Sequence, residues 1–410
     1  MKSDKYISNF SLKLYILFQK NPFLRKFKIV MFYIDTILLL FIKKPKPIEN
    51  KKKQILIIYN FAFGDGVIWL CSTKKIREIY PSDSYEITLI CQNGLNYLYE
   101  KEEIFDRIIP FNLTAATFNL KIRYILYKLL RSRYYDIVLD PIGVAECTTN
   151  VFMSHALVAK EKITILDTTL KKKLCPQWLI NSIYTKIIEV KKTNLSLIEF
   201  YAEFMRGLGL KDFSVSFEKP LSIPTTHDLP KEYFIIFPSA STYLKCWPID
   251  RYADITKKIY QKTGMKLLLC GTEKDKDIIE QYKIILNNEV PYCDIVGKTK
   301  LLEFVDIIKK ASLVVTNDTS TYHIAAVSEV PVAIIAGGYT YSRYVKYDFE
   351  GKKEFKEPCI IVKKMPCFDC DNRCPYINNK SKIWPCLDQV TSNYAWGKIE
   401  KLIEDNHIGR

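Results

Sequence analysis

Short apolar runs alternate with stretches of helical period along most of the chain, in two successive series. Gln54–Tyr59 has the character of a buried strand, followed by Asn60-Phe-Ala-Phe-Gly-Asp-Gly66 and a helical pattern from about Val67 to Ile79. Further strands are expected at Tyr85–Cys91, Arg107–Pro110, Asp136–Asp140 and Ile163–Leu166, with helices between them. The helix Asn194–Leu208 ends at Gly209, and Lys211 to Lys231 has the Ser, Pro and Thr content of a linker. The second series runs through strand Tyr233–Pro238, helix Asp250–Lys262, strand Lys266–Cys270, helix Thr272–Leu286, strand Asp294–Val296 and helix Leu301–Lys310. It leads into Leu313 to Gly338, which reads as strand, polar turn, short helix and strand, a complete βαβ unit. The pattern predicts an α/β protein with two Rossmann-like, doubly wound domains, 54–215 and 216–390, facing a central ligand cleft. Residues 391–410 add a C-terminal helix at Tyr394–Glu404.

Residues 1–53 break the alternation. Between Lys13 and Ile42, apolar residues such as Leu14, Phe18, Phe23, Phe27, Val30 and Tyr33 are interspersed with Lys20, Arg25, Lys26 and Lys28. This is the composition of a basic amphipathic arm lying in a membrane interface, or of a helix packed on its own domain. Lys43 to Lys53, rich in lysine with two prolines, reads as a linker. The apolar run Ile29–Ile42 is short for a membrane span, begins late for a cleavable signal and contains Asp35. A cytoplasmic protein, peripheral on the inner face of the cell membrane, is the expectation.

Charge narrows the partners. The formal net charge is +16, but residues 1–53 hold thirteen Lys or Arg against three acids, so the body is only mildly basic. This favours an anionic membrane surface for the arm and argues against nucleic acid as a partner of the body. Of twelve cysteines, eight are scattered singly and read as reduced core residues. The remaining four, Cys367, Cys370, Cys374 and Cys386, are spaced C-x₂-C-x₃-C-x₁₁-C, which leaves two readings: a structural zinc site, or reduced thiols.

Three polar loops follow strand ends. Gly64-Asp65-Gly66 places a carboxylate after the first strand, either as a proton acceptor for an attacking hydroxyl or as a helix N-cap. Pro238 to Pro248 offers Ser239, Ser241 and Thr242 as hydrogen-bond donors and Lys245 as a charge for a diphosphate, or simply as a solvated lysine. The turn Asn317-Asp318-Thr319-Ser320 opens a helix that carries His323, and Gly337-Gly338 follows the next strand. Helix-end N–H groups there suit an anion. Asp318 would cap the helix or bind a ligand hydroxyl, and His323 would donate to a phosphate or be satisfied within the helix.

Four stretches in this order, within roughly residues 54 to 405, resemble the heptosyltransferase-type glycosyltransferases of family nine, which have the two-Rossmann GT-B architecture. They are Phe63-Gly-Asp-Gly-Val67, Pro238 to Pro248 with its Lys-x-Trp-Pro ending, Asp318-Thr-Ser-Thr-Tyr-His-Ile-Ala-Ala326, and Gly337-Gly-Tyr-Thr-Tyr-Ser-Arg-Tyr344. The resemblance implies an inverting, metal-independent transfer that requires no cofactor. The donor would be a nucleotide-diphosphate sugar, ADP-heptose being one candidate, and the acceptor a hydroxyl of a lipid-linked or cell-envelope glycan, as in lipopolysaccharide or capsule biosynthesis. By motif position Asp65 would be the general base, Lys245 would hold the diphosphate, and the turn with Asp318, Thr319 and His323 would bind the nucleotide sugar. Ser239 and Ser320 stand where the family usually has glycine. That departure keeps an alternative open, a nucleotide-sugar-binding scaffold of the same fold without catalysis.

Overall fold

The computed structural model describes residues 21, 28–47, 49–144, 148–169, 175–192, 195–351, 355–378 and 381–409. The chain forms two units, each built on one sheet; the first comprises 21–216 with 349–351, and the second includes 217–348 and the described residues beyond 354.

The sheet of the first unit has six parallel strands: β1 (Lys53–Tyr59), β2 (Tyr85–Gln92), β3 (Arg107–Phe111), β4 (Tyr135–Asp140), β5 (Ala159–Asp167) and β6 (Lys186–Val190), ordered β3-β2-β1-β4-β5-β6. Ile55, Leu56, Ile57 and Ile58 are wholly buried, as a central strand covered on both faces requires. The order reverses between β1 and β4, so the loops after Tyr59 and Asp140 open at the same point of the sheet edge. Strand β5 begins four residues before the expected Ile163, and β6 was not expected. The Lys-Ile-Ile-Glu-Val sequence of β6 carries two charges in five residues, as suits a strand at the sheet edge.

Helix α1 (Lys28–Leu40) corrects the expectation of an arm lying in an interface along its whole length. Residues 1–20 and 22–27 lie outside the described residues. From Lys28 onward the segment packs on its own unit, burying Phe32, Leu39 and Ile42 against the helices α2 (Leu120–Leu130) and α3 (Thr149–Ala156) and their surroundings. Asp35, the residue that argued against a signal sequence, forms a fully buried ion pair with Arg123 at 3.0 Å. Arg123 also donates to the carbonyls of Ala116 and Thr117, while Arg131 donates to Leu39 and Ile42, satisfying carbonyls that α1 leaves open at its C-terminus. Burial raises the Asp35 carboxyl above its ordinary range, with the Arg123 charge pulling in the opposite direction.

The second unit repeats the design with β7 (Tyr233–Phe237), β8 (Lys266–Leu269), β9 (Tyr292–Asp294), β10 (Leu313–Asn317), β11 (Val332–Ile335) and β12 (Cys359–Ile361), all parallel and ordered β12-β11-β10-β7-β8-β9. Read from β7, this is the same winding, and its switch point lies between β7 and β10. Helix α4 (Ile249–Thr263) ends at Gly264, whose φ of 69° makes it a left-handed C-cap. The final helix α5 (Ser392–Asp405) packs beside α4 and sends Ala395, Ile399 and Ile403 into this unit's core.

Replacing Arg123 by Met would strand the buried Asp35 charge. The variant should lose about 3–5 kcal/mol of stability, read as a lower urea midpoint, and Asp35→Leu in the same chain should restore most of it.

Candidate active site

The second unit gathers most of the expected residues at its switch point. Asn317, which the sequence places in the polar turn before the helix, is instead the last residue of β10 and has a different role. Its Oδ1 accepts the Trp247 backbone N–H at 3.0 Å and the Tyr252 hydroxyl at 2.9 Å, while its Nδ2 donates to the Pro238 carbonyl at 2.7 Å. One wholly buried amide thus pins both ends of the Pro238–Pro248 loop and the start of α4 to the end of β10. The sequence signal was an asparagine ending a largely apolar strand, where a buried amide demands several partners.

On this frame Lys245 Nζ meets Asp318 Oδ2 at 2.9 Å and lies 5.7 Å from the centre of the Tyr339 ring, whose hydroxyl also reaches Asp318. Asp318 is therefore not the helix cap. That position falls to Thr319, ahead of the helix α6 (Ser320–Val327), while Asp318 orients the lysine. Burial pushes the Asp318 carboxyl upward, but Lys245, His323 and the Tyr339 hydroxyl together outweigh it and hold the group below the usual carboxylate range. The Thr319 hydroxyl is within 3.1 Å of that of Thr316. Lys245 keeps part of its side chain in solvent, Ser241 is exposed, and Thr242, Thr319 and Ser320 are partly so. A cation, hydroxyls and the first N–H groups of a helix thus share one edge, a suitable arrangement for an anionic ligand.

Other expected residues are placed differently. Ser239 is 2% exposed and its hydroxyl donates to Asp275, which also accepts from the Thr272 amide and hydroxyl. His323 faces inward: its Nδ1 shares a 2.8 Å hydrogen bond with the Tyr347 hydroxyl, and burial lowers its pKa to about 4, so it is neutral at pH 7. Gly337 and Gly338 are buried as well. A Cβ on Gly337 would meet the Tyr339 ring at 2.4 Å, and one on Gly338 would meet Phe368 at 2.5 Å, so close packing accounts for both glycines. Neither Ser239 nor Ser320 has positive φ, so serine replaces the family's usual glycine there without backbone strain.

The four clustered cysteines do converge, around Gly338, Tyr339, Met365, Phe368 and Trp384. They do not satisfy the expectation of zinc. Among the described residues no three Cys, His, Asp or Glu side chains are placed to hold one ion. Cys374 and Cys386 are buried in an apolar setting, and burial, reinforced by its neighbouring thiols, pushes the Cys370 thiol up to about 12. These thiols pack behind the Gly337–Gly338 loop, and Asp369 supports that loop's continuation by accepting from the Ser342 amide.

In the first unit, the helix after β1 spans Phe63–Thr73 and begins earlier than expected, so Gly64-Asp65-Gly66 lies in its first turn instead of in a loop. Asp65 is the third helical residue, and its Oδ2 accepts the Ala62 N–H at 3.1 Å. Gly66 makes room for Leu95, which a Cβ would meet at 2.4 Å, and its carbonyl accepts the Tyr99 hydroxyl. Behind this turn Tyr59 stacks on Trp69 with centroids 4.1 Å apart and hydrogen-bonds Tyr201, a rigid base for the Asp65 carboxylate.

Two Rossmann-like units in one chain, one with an anion-suited edge at its switch point, are the architecture of the GT-B glycosyltransferases. The comparisons with known proteins narrow this class. The model of glycosyltransferase family 9 (heptosyltransferase) matches residues 123–347, more than half of the chain. Lipooligosaccharide heptosyltransferase 2 of Haemophilus influenzae is 35% identical over 296 residues, covering 69% of this chain and 83% of that protein. In fold, the chain is similar to a family 9 glycosyl transferase of Veillonella parvula, with TM-score 0.64 and 15% identity over 88% of this chain and all of that one. It is also similar to the E. coli heptosyltransferase WaaC solved with ADP, with TM-score 0.59 and 16% identity over 86% and 99% of the two chains. The chain belongs to glycosyltransferase family 9 and is a glycosyltransferase. The span matched by the family model contains Lys245, Asp318 and His323 but begins after Asp65.

The buried, neutral His323 makes stability depend on pH. Its folded pKa of about 4 lies below the unfolded value of about 6.5, so between these values the unfolded chain binds a proton that the folded chain refuses. Stability should fall by up to about 1.4 kcal/mol per pH unit on acidification through that window from this residue alone. His323→Gln should remove that part of the slope in denaturation series at pH 6.5, 5.5 and 4.5 (about one unit apart). The share of His155, which burial also lowers to about 4, should remain.

Proposed function

We propose that the protein transfers a sugar, with inversion and without a metal ion, from a nucleotide-diphosphate sugar to a hydroxyl of a lipid-linked or cell-envelope glycan. The observation that carries this reading is Lys245, fixed at the switch point of the second unit by Asp318 and Tyr339, beside the first turn of α6. In this mechanism the acceptor oxygen attacks the anomeric carbon on the face opposite the diphosphate, and Asp65 takes the hydroxyl proton. The bond from that carbon to the diphosphate oxygen breaks, and the departing charge is met by the Lys245 ammonium and by backbone N–H groups at the start of α6. Because Asp318 already orients the ammonium, the lysine has little conformational freedom to lose on binding.

ADP-heptose is the favoured donor. The identity with a lipooligosaccharide heptosyltransferase supports the sugar, and the fold shared with a heptosyltransferase solved with ADP supports the nucleotide. A glycolipid of the lipopolysaccharide core is the corresponding acceptor class.

Calorimetric titration with ADP-, UDP-, GDP- and CMP-sugars in EDTA should find one diphosphate donor that binds. If none does, the reading fails. Asp65→Asn retains an acceptor for the Ala62 amide and so should fold and bind donor normally, while turnover drops by about 10²–10⁴-fold. Lys245→Ala should weaken donor binding and turnover together.

A further inference from the structure

Helix α1 has two apolar faces, and among the described residues only one is packed. Phe32, Asp35 and Leu39 turn inward onto the first unit. On the opposite side Val30, Tyr33, Ile37, Leu40 and Phe41 form a continuous ridge at the i, i+3, i+4 spacing of one helix face, with exposures of 41%, 56%, 56%, 78% and 74%. A ridge of this size on a helix clamped by two buried arginines is not a frayed end, and contiguous exposed apolar surface of this kind marks an interaction site.

The charge beside it indicates what it meets. Immediately after Phe41 the chain carries Lys43, Lys44 and Lys46, all exposed, and then Lys51, Lys52 and Lys53; Glu49 is the only acid between residues 41 and 53. An exposed apolar helix face followed directly by a run of exposed lysines matches the boundary between headgroups and acyl chains of an anionic bilayer. No helix among the described residues is long and apolar enough to cross a membrane, so this contact would lie along the surface.

We infer that the outer ridge of α1, with the following lysines, seats the first unit on an anionic lipid surface. This goes beyond the transfer reading and does not depend on the identity of the donor or of the acceptor sugar.

The full-length protein is tested by co-sedimentation with phosphatidylcholine vesicles with and without phosphatidylglycerol. Binding should require phosphatidylglycerol and weaken with salt. The double variant Ile37→Asp, Leu40→Asp should keep its thermal unfolding midpoint, because both side chains are exposed, and should lose at least about tenfold in vesicle partitioning. Equal partitioning of the variant, equal binding to neutral vesicles, or no binding of the wild type would overturn the inference. So would a dimer that the variant dissociates while vesicle binding persists, which would assign the ridge to a second copy of the chain. In a separate measurement, Phe41→Trp should gain fluorescence quenching from brominated phosphatidylglycerol relative to wild type. Sedimentation without that extra quenching would place insertion elsewhere in the chain and equally defeat the proposal.

Discussion

The amide of Asn317 is the contact on which the geometry of the second unit turns. A parallel sheet leaves loops at the carboxyl ends of its strands with no partner strand to order them, and the two loops at a switch point diverge to opposite faces. Here a single side chain at the end of β10 binds backbone at Pro238 and Trp247 and the hydroxyl of Tyr252, so loops that would otherwise move independently share one anchor. The Lys245–Asp318 pair depends on that anchor, since its two members come from the two loops joined by Asn317. A polar group in a nearly dry setting has this effect because every alternative arrangement leaves a buried donor or acceptor unpaired.

Much of the fold was legible. The central strands are continuous runs such as Gln54–Tyr59 and Tyr233–Phe237, whose burial on both faces leaves little else that such a run could be. The unexpected strands β6 and β12 are edge strands, one charged and one only three residues long, and the signal weakens there because an edge has solvent on one side. Strand β9 sits two residues earlier than the pattern suggested. The apolar Ile295 and Val296 are buried, but in the turn beyond it, where Asp294 accepts the Val296 amide.

The site was legible as a set of loops and less so as a set of roles. Lys245 and Asp318 were singled out separately, yet nothing in their spacing indicates that they pair across 73 residues. Ser239 and His323 carry the right chemistry but point inward, which a motif cannot register. The cysteines illustrate the same limit: their spacing brings four thiols together among aromatic and thioether side chains, yet among the described residues no three are placed to hold one ion. The glycines of Gly66 and Gly337-Gly338 turn out to serve neighbouring side chains, Leu95, Tyr339 and Phe368, instead of unusual backbone angles.

The repeated strand order also shapes how the chain reaches this state. In each sheet the first strand to be synthesised pairs with the fourth, with Ile55 opposite Ile137 and Phe234 opposite Leu313, partners about eighty residues apart. The loop entropy for those pairings is lost before the central ladder can form. Each unit should therefore close its sheet late and slowly, with one edge of β1 or β7 left unpaired after β2 or β8 has joined the other. On the ribosome such a strand is a natural target for a chaperone that holds hydrophobic segments until the fourth strand emerges.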